Sequence, residues 1–315
     1  MIEQMLSHTG SRFFSVPECA PLKSKIAYDP ANLKGAVKPD WCPKCGDFGV
    51  LSCLQKAISG LGVAPKDVLV VSGIGCSSNL PGFFKAYGFH GIHGRALPLA
   101  TGMKLANPDL TVVVTGGDGD GYGIGMGHFI HTVRRNLNLT YCVMDNQIYG
   151  LTTGQTSPTS QRQMKTKSTP EGNIEGPVNP IALALVNGAT FVSRTFSGDP
   201  GHMAQVMAKA ITHRGFSLVD CFSPCVTYNK INTYDWFKER LYRLEDENHD
   251  ATDFQLALAK SFEIGDKIPI GVFYEKTGAP AYEDLDATLS KIGSPVKQPL
   301  GLTPKQQKEL LQDFF

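Results

Sequence analysis

Short apolar runs recur along this chain at 68–72, 111–115, 139–144, 189–193 and 216–220, each closed by polar or glycine-rich residues. Most are separated by stretches long enough for a helix, and 49–61 and 203–213 have the composition of two such helices. A strand buried on both faces is apolar almost throughout, and parallel strands need long crossovers between them. This alternation predicts an α/β fold, a doubly wound parallel sheet over about residues 41–228.

Three segments depart from that rhythm. Residues 1–40 have scattered prolines and little periodicity, as expected of an arm that orders only against this domain or a partner. Residues 152–180 are rich in Thr, Ser, Gly, Pro and Gln, and so long a loop in a compact domain is usually functional or packed on another subunit. Residues 229–315 are more charged and contain Pro269, Pro280 and Pro295, which suits an extension with one or two short strands or helices, packed on the core or a partner.

Thirty basic residues stand against 29 acidic ones, a formal charge of +1 that offers no electrostatic basis for binding nucleic acid or an anionic membrane. No stretch of 18 apolar residues is present, and the first residues lack the layout of a signal peptide, so a cytoplasmic address is expected. Eight cysteines in 315 residues are too few for a disulfide scaffold, and a Cys-x-x-Cys pair in a reducing compartment points to metal binding or redox chemistry.

In open parallel sheets, ligands bind outside the carboxyl ends of the strands. The unusual motifs all fall there: Gly73-Ile74-Gly75-Cys76 after the first run, Gly116-Gly117-Asp118-Gly119-Asp120-Gly121 after the second, Asp145-Asn146-Gln147-Ile148-Tyr149-Gly150-Leu151 after the third, and Ser223-Pro224-Cys225 after the fifth. Asp118 and Asn146 offer the oxygen ligands that Mg²⁺ takes, and the Ile148 carbonyl is a third candidate. Each alone also fits a turn or a helix cap; together, at this spacing, they favour a Mg²⁺–diphosphate site. Gly121-Tyr122-Gly123-Ile124-Gly125 fits a dinucleotide fingerprint poorly. Cys42 and Cys45 bring two thiols together, and Cys76 and Cys225 can converge on them from strand ends; four thiolates suit a [4Fe–4S] cluster or zinc. Cys142 falls in a strand, Cys53 in a helix, Cys221 in the strand before Cys225, and Cys19 on the arm. Cys225, past Pro224 in the loop, is the better ligand than Cys221.

Gly117-Asp118-Gly119 followed by 26 residues and Asn146 resembles the thiamine diphosphate signature. Cys42-Pro43-Lys44-Cys45-Gly46, Gly73-Ile74-Gly75-Cys76-Ser77-Ser78 and His93-Gly94-Arg95-Ala96 resemble the β subunit of the 2-oxoacid:ferredoxin oxidoreductases. The resemblance implies a thiamine diphosphate-binding fold of the pyrophosphate type. It implies Mg²⁺ on Asp118, Asn146 and Ile148, with Ile74, Gly75, Cys76, Ser77, His93, Gly119, Asp120, Gly150 and Leu151 lining the cofactor. It tips the thiols Cys42, Cys45, Cys76 and Cys225 toward a [4Fe–4S] cluster. The implied activity is coenzyme A-dependent oxidative decarboxylation of a 2-oxoacid, reversible in principle, with electrons passing to ferredoxin; 2-oxoglutarate is favoured over pyruvate. The activating glutamate of thiamine enzymes lies on a second domain for which this chain has no room, so a larger α subunit in an αβ or α2β2 assembly is expected. Two rival classes stand beside this reading: a thiamine decarboxylase or synthase without electron transfer, and a non-catalytic zinc-binding subunit.

Overall fold

A computed structural model describes residues 29–312. Eight strands form one sheet: β1 (Val68–Ser72), β2 (Tyr87–His90), β3 (Thr111–Gly117), β4 (Leu139–Asp145), β5 (Phe191–Phe196), β6 (Phe216–Phe222), β7 (Leu241–Arg243) and β8 (Ile268–Glu275). Their order across the sheet is β2-β1-β3-β4-β6-β5-β8-β7. Six strands from β2 to β5 are mutually parallel.

The first run falls on β1 as expected, and the second, third and fifth extend by one or two residues at their carboxyl ends. The fourth begins later, at Phe191, because Gly188 takes a positive φ and turns the chain there. Three strands, β2, β7 and β8, had no apolar run to announce them. The edge strand β2, Tyr-Gly-Phe-His, is exposed along its length. β8, from the C-terminal extension, runs antiparallel to β5, so the sheet is not parallel throughout. Pro269 breaks its sequence pattern but stands second in the strand, facing the short β7, where a missing N–H is tolerated.

The period of two divides the core. Val68 and Val70 pack with α1 (Asp47–Gly60) on one face of the sheet. Leu69 and Val71 pack with α2 (Ala96–Ala106), α3 (Met126–Arg135) and α4 (Pro180–Val186) on the other. α5 (Pro200–Thr212) lies beside α1; it starts at an Asp199 cap followed by Pro200, ahead of its first apolar residue. The end of the N-terminal arm lies on this domain: Leu33 is fully buried, and Lys34 bridges Phe84.

The strand order sets where a ligand can enter. From β1 the chain moves to β2 on one side, then crosses to β3 on the other, so the loops after β1 and β3 diverge and leave a crevice between them. β1, β3, β4 and β6 are consecutive in the sheet, and these four strands carry the motifs at their carboxyl ends.

Candidate active site

The loops after β1, β2, β3 and β4 enclose a cavity of about 140 Å³ lined by Ile74, Gly75, Cys76, Ser77, His93, Asp118, Gly119, Asp120, Asn146, Ile148, Gly150 and Leu151. Every residue expected at the cofactor and Mg²⁺ faces this one cavity. It is smaller than the roughly 300 Å³ at which small-molecule sites begin, as for one wall of a site completed elsewhere. A second cavity of about 240 Å³ is lined by Cys42, Cys45, Cys76 and Cys225, with Asp47 and Tyr228. Cys76, Asn146, Gly150 and Leu151 line both, so the two cavities share a wall.

The end of this cavity at Asp118 carries closely placed acids. Asp118 and Asp145 are buried, and the Thr159 hydroxyl lies 2.7 Å from Asp118 Oδ2 and 2.8 Å from Asp145 Oδ1. One hydroxyl has one proton, so Thr159 donates to only one carboxylate at a time; the Gln147 N–H also reaches Asp145 Oδ1 at 3.1 Å, and two carboxylates this close favour a further proton or a cation between them. Burial pushes Asp118 up to about 6, against the hydrogen bonds of Ser157 and Thr159. Burial, with the charges of Asp118 and Asp220, raises Asp145 well above the carboxylate range.

Local backbone fixes the rest of this wall. Gln147 takes φ +58, and the turn is held by Asn146 Oδ1 accepting the Ile148 N–H at 3.0 Å and by the Ser160 hydroxyl donating to Gln147 O at 2.7 Å. A Cβ on Gly119 would meet the Tyr149 ring at 2.2 Å, while the Tyr149 hydroxyl donates to Gly119 O at 3.1 Å. Tyr149 therefore clamps the loops after β3 and β4 together.

The thiol cavity is assembled by docking contacts. Gly46 N–H donates to Pro224 O at 3.2 Å, and a Cβ on Gly46 would sit 2.6 Å from Ser223, so glycine lets the Cys42–Cys45 turn press onto the Cys225 loop. The Trp41 indole donates to Cys76 O at 2.6 Å, tying the same turn to the loop after β1. A Cβ on Gly150 would lie 3.4 Å from the Cys225 sulfur and 3.9 Å from the Cys76 sulfur, so these two thiols flank one backbone position. Burial first, then the charge of Asp47, pushes Cys76 up to about 11 and Cys45 higher still. Both are thiols until a metal displaces their protons. Cys221 is buried within β6 with its thiol toward Val219 O, away from this cavity; Cys53 and Cys142 are core residues. Cys19 lies outside the described residues. Among the described residues, no three Cys, His, Asp or Glu side chains are grouped to hold a single metal ion. The four sulfurs line a space instead of converging on a point.

Three contributors had no assigned role. Asp47 opens α1 and accepts from the Ser223 hydroxyl at 2.5 Å; its position two residues after Cys45 was the available signal. Tyr149 stood inside a quoted motif without an assigned role. Thr159 comes from the long loop expected to be functional or packed on another subunit, and only the tertiary fold brings it onto Asp118.

The chain matches two family models: the C-terminal thiamine pyrophosphate-binding domain of thiamine enzymes over residues 73–221, and the C-terminal part of the pyruvate ferredoxin oxidoreductase β subunit over 225–291. It is 48% identical to the 2-oxoacid:ferredoxin oxidoreductase subunit beta of Sulfolobus sp over 78% of this chain and 84% of that one. It is 37% identical to the 2-oxoglutarate synthase subunit KorB of Methanocaldococcus jannaschii, over 81% of this chain and 94% of that one. Among solved structures it superimposes on the 2-oxoglutarate:ferredoxin oxidoreductase of Magnetococcus marinus, described with 2-oxoglutarate, coenzyme A and succinyl-CoA bound, with a TM-score of 0.82 and 41% identity, covering 91% and 97% of the two chains.

Proposed function

The chain belongs to the β subunits of the 2-oxoacid:ferredoxin oxidoreductases, and from that premise we propose that it holds thiamine diphosphate through Mg²⁺ in the smaller cavity and a [4Fe–4S] cluster in the larger. The shared wall of Cys76, Asn146, Gly150 and Leu151 carries this reading, because it puts a cofactor that releases electrons beside a group that takes them.

The residues present fit both groups. Asp118 and Asp145 hold more negative charge than Thr159 can satisfy, which a divalent cation on Asp118, Asn146 Oδ1 and the Ile148 carbonyl would relieve. The four thiols, spread around a cavity, suit a polynuclear cluster better than one tetrahedral zinc ion. When bound, thiamine diphosphate supplies the carbon nucleophile and electron sink for decarboxylation, and the cluster supplies a one-electron acceptor.

This chain's part is to bind, orient and exclude. Gly75 takes φ +123, so the chain after β1 turns with no side chain to obstruct the crevice. Cys76 and Gly150 separate the two cavities by a single layer of protein. Leu151, exposed in this chain, is placed to be covered by a larger α subunit, which we propose brings the activating glutamate and closes the site. 2-Oxoglutarate is the proposed substrate, with pyruvate second, coenzyme A the acyl acceptor and ferredoxin the electron acceptor. The 2-oxoglutarate named for the Magnetococcus enzyme and the name of the Methanocaldococcus relative support that order.

The test is to assemble the chain with its α subunit and measure iron, zinc and thiamine content. Turnover of 2-oxoglutarate and pyruvate is then compared with coenzyme A and a viologen acceptor. Iron, bound thiamine and viologen reduction that prefers 2-oxoglutarate are expected. Zinc without iron would overturn the cluster, and 2-oxoacid consumption without viologen reduction would favour a non-redox thiamine enzyme.

A further inference from the structure

A further cavity, of about 340 Å³, lies between the long loop after β4 and the C-terminal extension, apart from the cofactor and thiol cavities. It exceeds the roughly 300 Å³ at which small-molecule sites begin. Thr159 and Asp145 line it, and the Thr159 hydroxyl also reaches Asp118, so one layer of side chains divides it from the smaller cavity.

Its inner end is a buried cation with donors to spare. Arg194, on β5, has a side chain only 4% exposed and pairs with Asp220 on β6. That contact uses a single N–H, from Nε to Asp220 Oδ2 at 2.9 Å, and Asp220 Oδ1 accepts the Tyr122 hydroxyl at 3.1 Å. No described residue hydrogen-bonds Nη1 or Nη2 of Arg194, although Arg194 lines the cavity. The guanidinium is held between rings, its Cζ 4.9 Å from the Phe222 centroid and 5.7 Å from that of Phe273. Gln147 stands on the same lining, its Oε1 buried and without a partner. Buried polar groups left this way cost free energy until a guest or water completes their hydrogen bonds.

The rest of the lining is largely apolar, with Phe222, Val178 and Ile268 inside and Trp236 and the exposed Ile264 at the mouth. The other charged groups there are already engaged or face solvent. Arg240 lies over the Trp236 ring at 4.6 Å, its Nη1 donating to Trp236 O and to Glu239, and Asp266 is exposed. Asp145 Oδ1 accepts from Thr159 and from the Gln147 N–H.

From this arrangement we propose that the cavity binds a small organic carboxylate with an apolar body, at a site separate from the one where the 2-oxoacid reacts. The two Nη groups of Arg194 present paired N–H bonds that match the two oxygens of a carboxylate. Gln147, with its amide nitrogen turned inward, adds a donor on the same lining. A single cation that already shares its charge with Asp220 suits one negative charge, whereas a phosphate group carries about −2. The apolar walls take the body of the guest, and its burial supplies most of the affinity. The site stands apart from the function proposed above, in which Arg194, Trp236 and Ile264 have no part.

The test is calorimetric titration of the chain, assembled with its α subunit and cofactors, using benzoate and the neutral benzamide as probes. Benzoate is expected to bind with a Kd of about 1 mM or tighter, and to stay bound in saturating 2-oxoglutarate without coenzyme A. It should also change tryptophan emission, an effect lost in Trp236→Phe. Benzamide should bind at least about tenfold more weakly. Arg194→Lys keeps a cation for Asp220 but loses the paired N–H edge, and should weaken benzoate about tenfold. Ile264→Trp fills the mouth and leaves the Arg194 pair untouched; it should weaken benzoate as well, and it decides the matter if the Arg194 variant fails to fold. Absence of binding, equal affinity for benzamide, displacement by 2-oxoglutarate, or benzoate affinity unchanged in Ile264→Trp overturns the site.

Discussion

The two ends of the sheet both carry cavities, and the larger of the pair compared is not the site. At the amino end, about 270 Å³ is lined by Lys104, Asn138, His213 and Arg214 among others; at the carboxyl end the proposed cofactor cavity is about 140 Å³. The difference lies in how charge is matched. Lys104 is buried, yet its ammonium donates to Pro108 O and Leu110 O at 2.8 Å each and faces Glu283. Arg214 pairs with Asp284, and His213 Nε2 meets Thr190. At the carboxyl end, Asp118 and Asp145 share one hydroxyl, and buried Asp47 Oδ2 and Asp120 Oδ2 have no hydrogen-bond partner; Glu283 Oε1 at the amino end also lacks one, but has the Lys104 ammonium 3.9 Å away. Charge that the protein leaves unsettled marks a site better than volume does.

Five measurements would break or sharpen that contrast. The largest effect is expected from Cys225→Ala, which should remove the iron and its broad visible absorbance almost completely, while Cys221→Ala retains both. Loss of iron from the second variant alone would move the cluster to the other cysteine. Next, Asp118→Asn should lower retention of Mg²⁺ and thiamine diphosphate at least 100-fold in equilibrium dialysis, the upper end of effects on metal affinity.

The same variant carries a pH signature. Asp118 sits at about 6 in the fold against an ordinary 3.8, so its ionised form is disfavoured by folding. The stability linked to its proton is fully present below the unfolded value and lost as pH rises through about 6. Without metal, Asp118→Asn should therefore melt about 5 °C above wild type at pH 7.5, with the gap closing toward pH 4. An unchanged gap would mean the carboxylate is already satisfied.

Thr159→Val removes the shared hydroxyl and should weaken Mg²⁺ binding about tenfold, read by titrating activity against Mg²⁺. The smallest effect on turnover is predicted at the other end of the sheet. Lys104→Met leaves buried Glu283 without its cation and should cost about 2 kcal/mol in urea unfolding, while 2-oxoacid turnover stays within about twofold, as expected away from the reacting groups. A comparable loss of turnover there would erase the distinction between the two ends.

The parallel core was legible because its strands are buried on both faces and hence apolar throughout. β2 and β8 were not. An exposed edge strand has no reason to be apolar, and the pattern of β8 is interrupted by Pro269 and Gly271. The motif residues were legible because glycine, acid and thiol at strand ends are rare together. Asp47, Tyr149 and Thr159 were hidden because an aspartate in a first turn, a tyrosine in a loop and a threonine in a polar tract are ordinary locally.

By itself the sequence determined the layer architecture, the resemblance to thiamine-dependent oxidoreductases and the chemical character of each strand end. Those follow from side-chain type and short spacing, which the chain carries along its length. Tertiary structure alone decided that Cys76 and Cys225, from strands with two others between them, flank Gly150, that Thr159 bridges two carboxylates, and that Asp120 meets His93 Nδ1 at 2.7 Å. Such contacts join residues up to about 150 positions apart, and their geometry depends on strand order and loop docking, which no local pattern records.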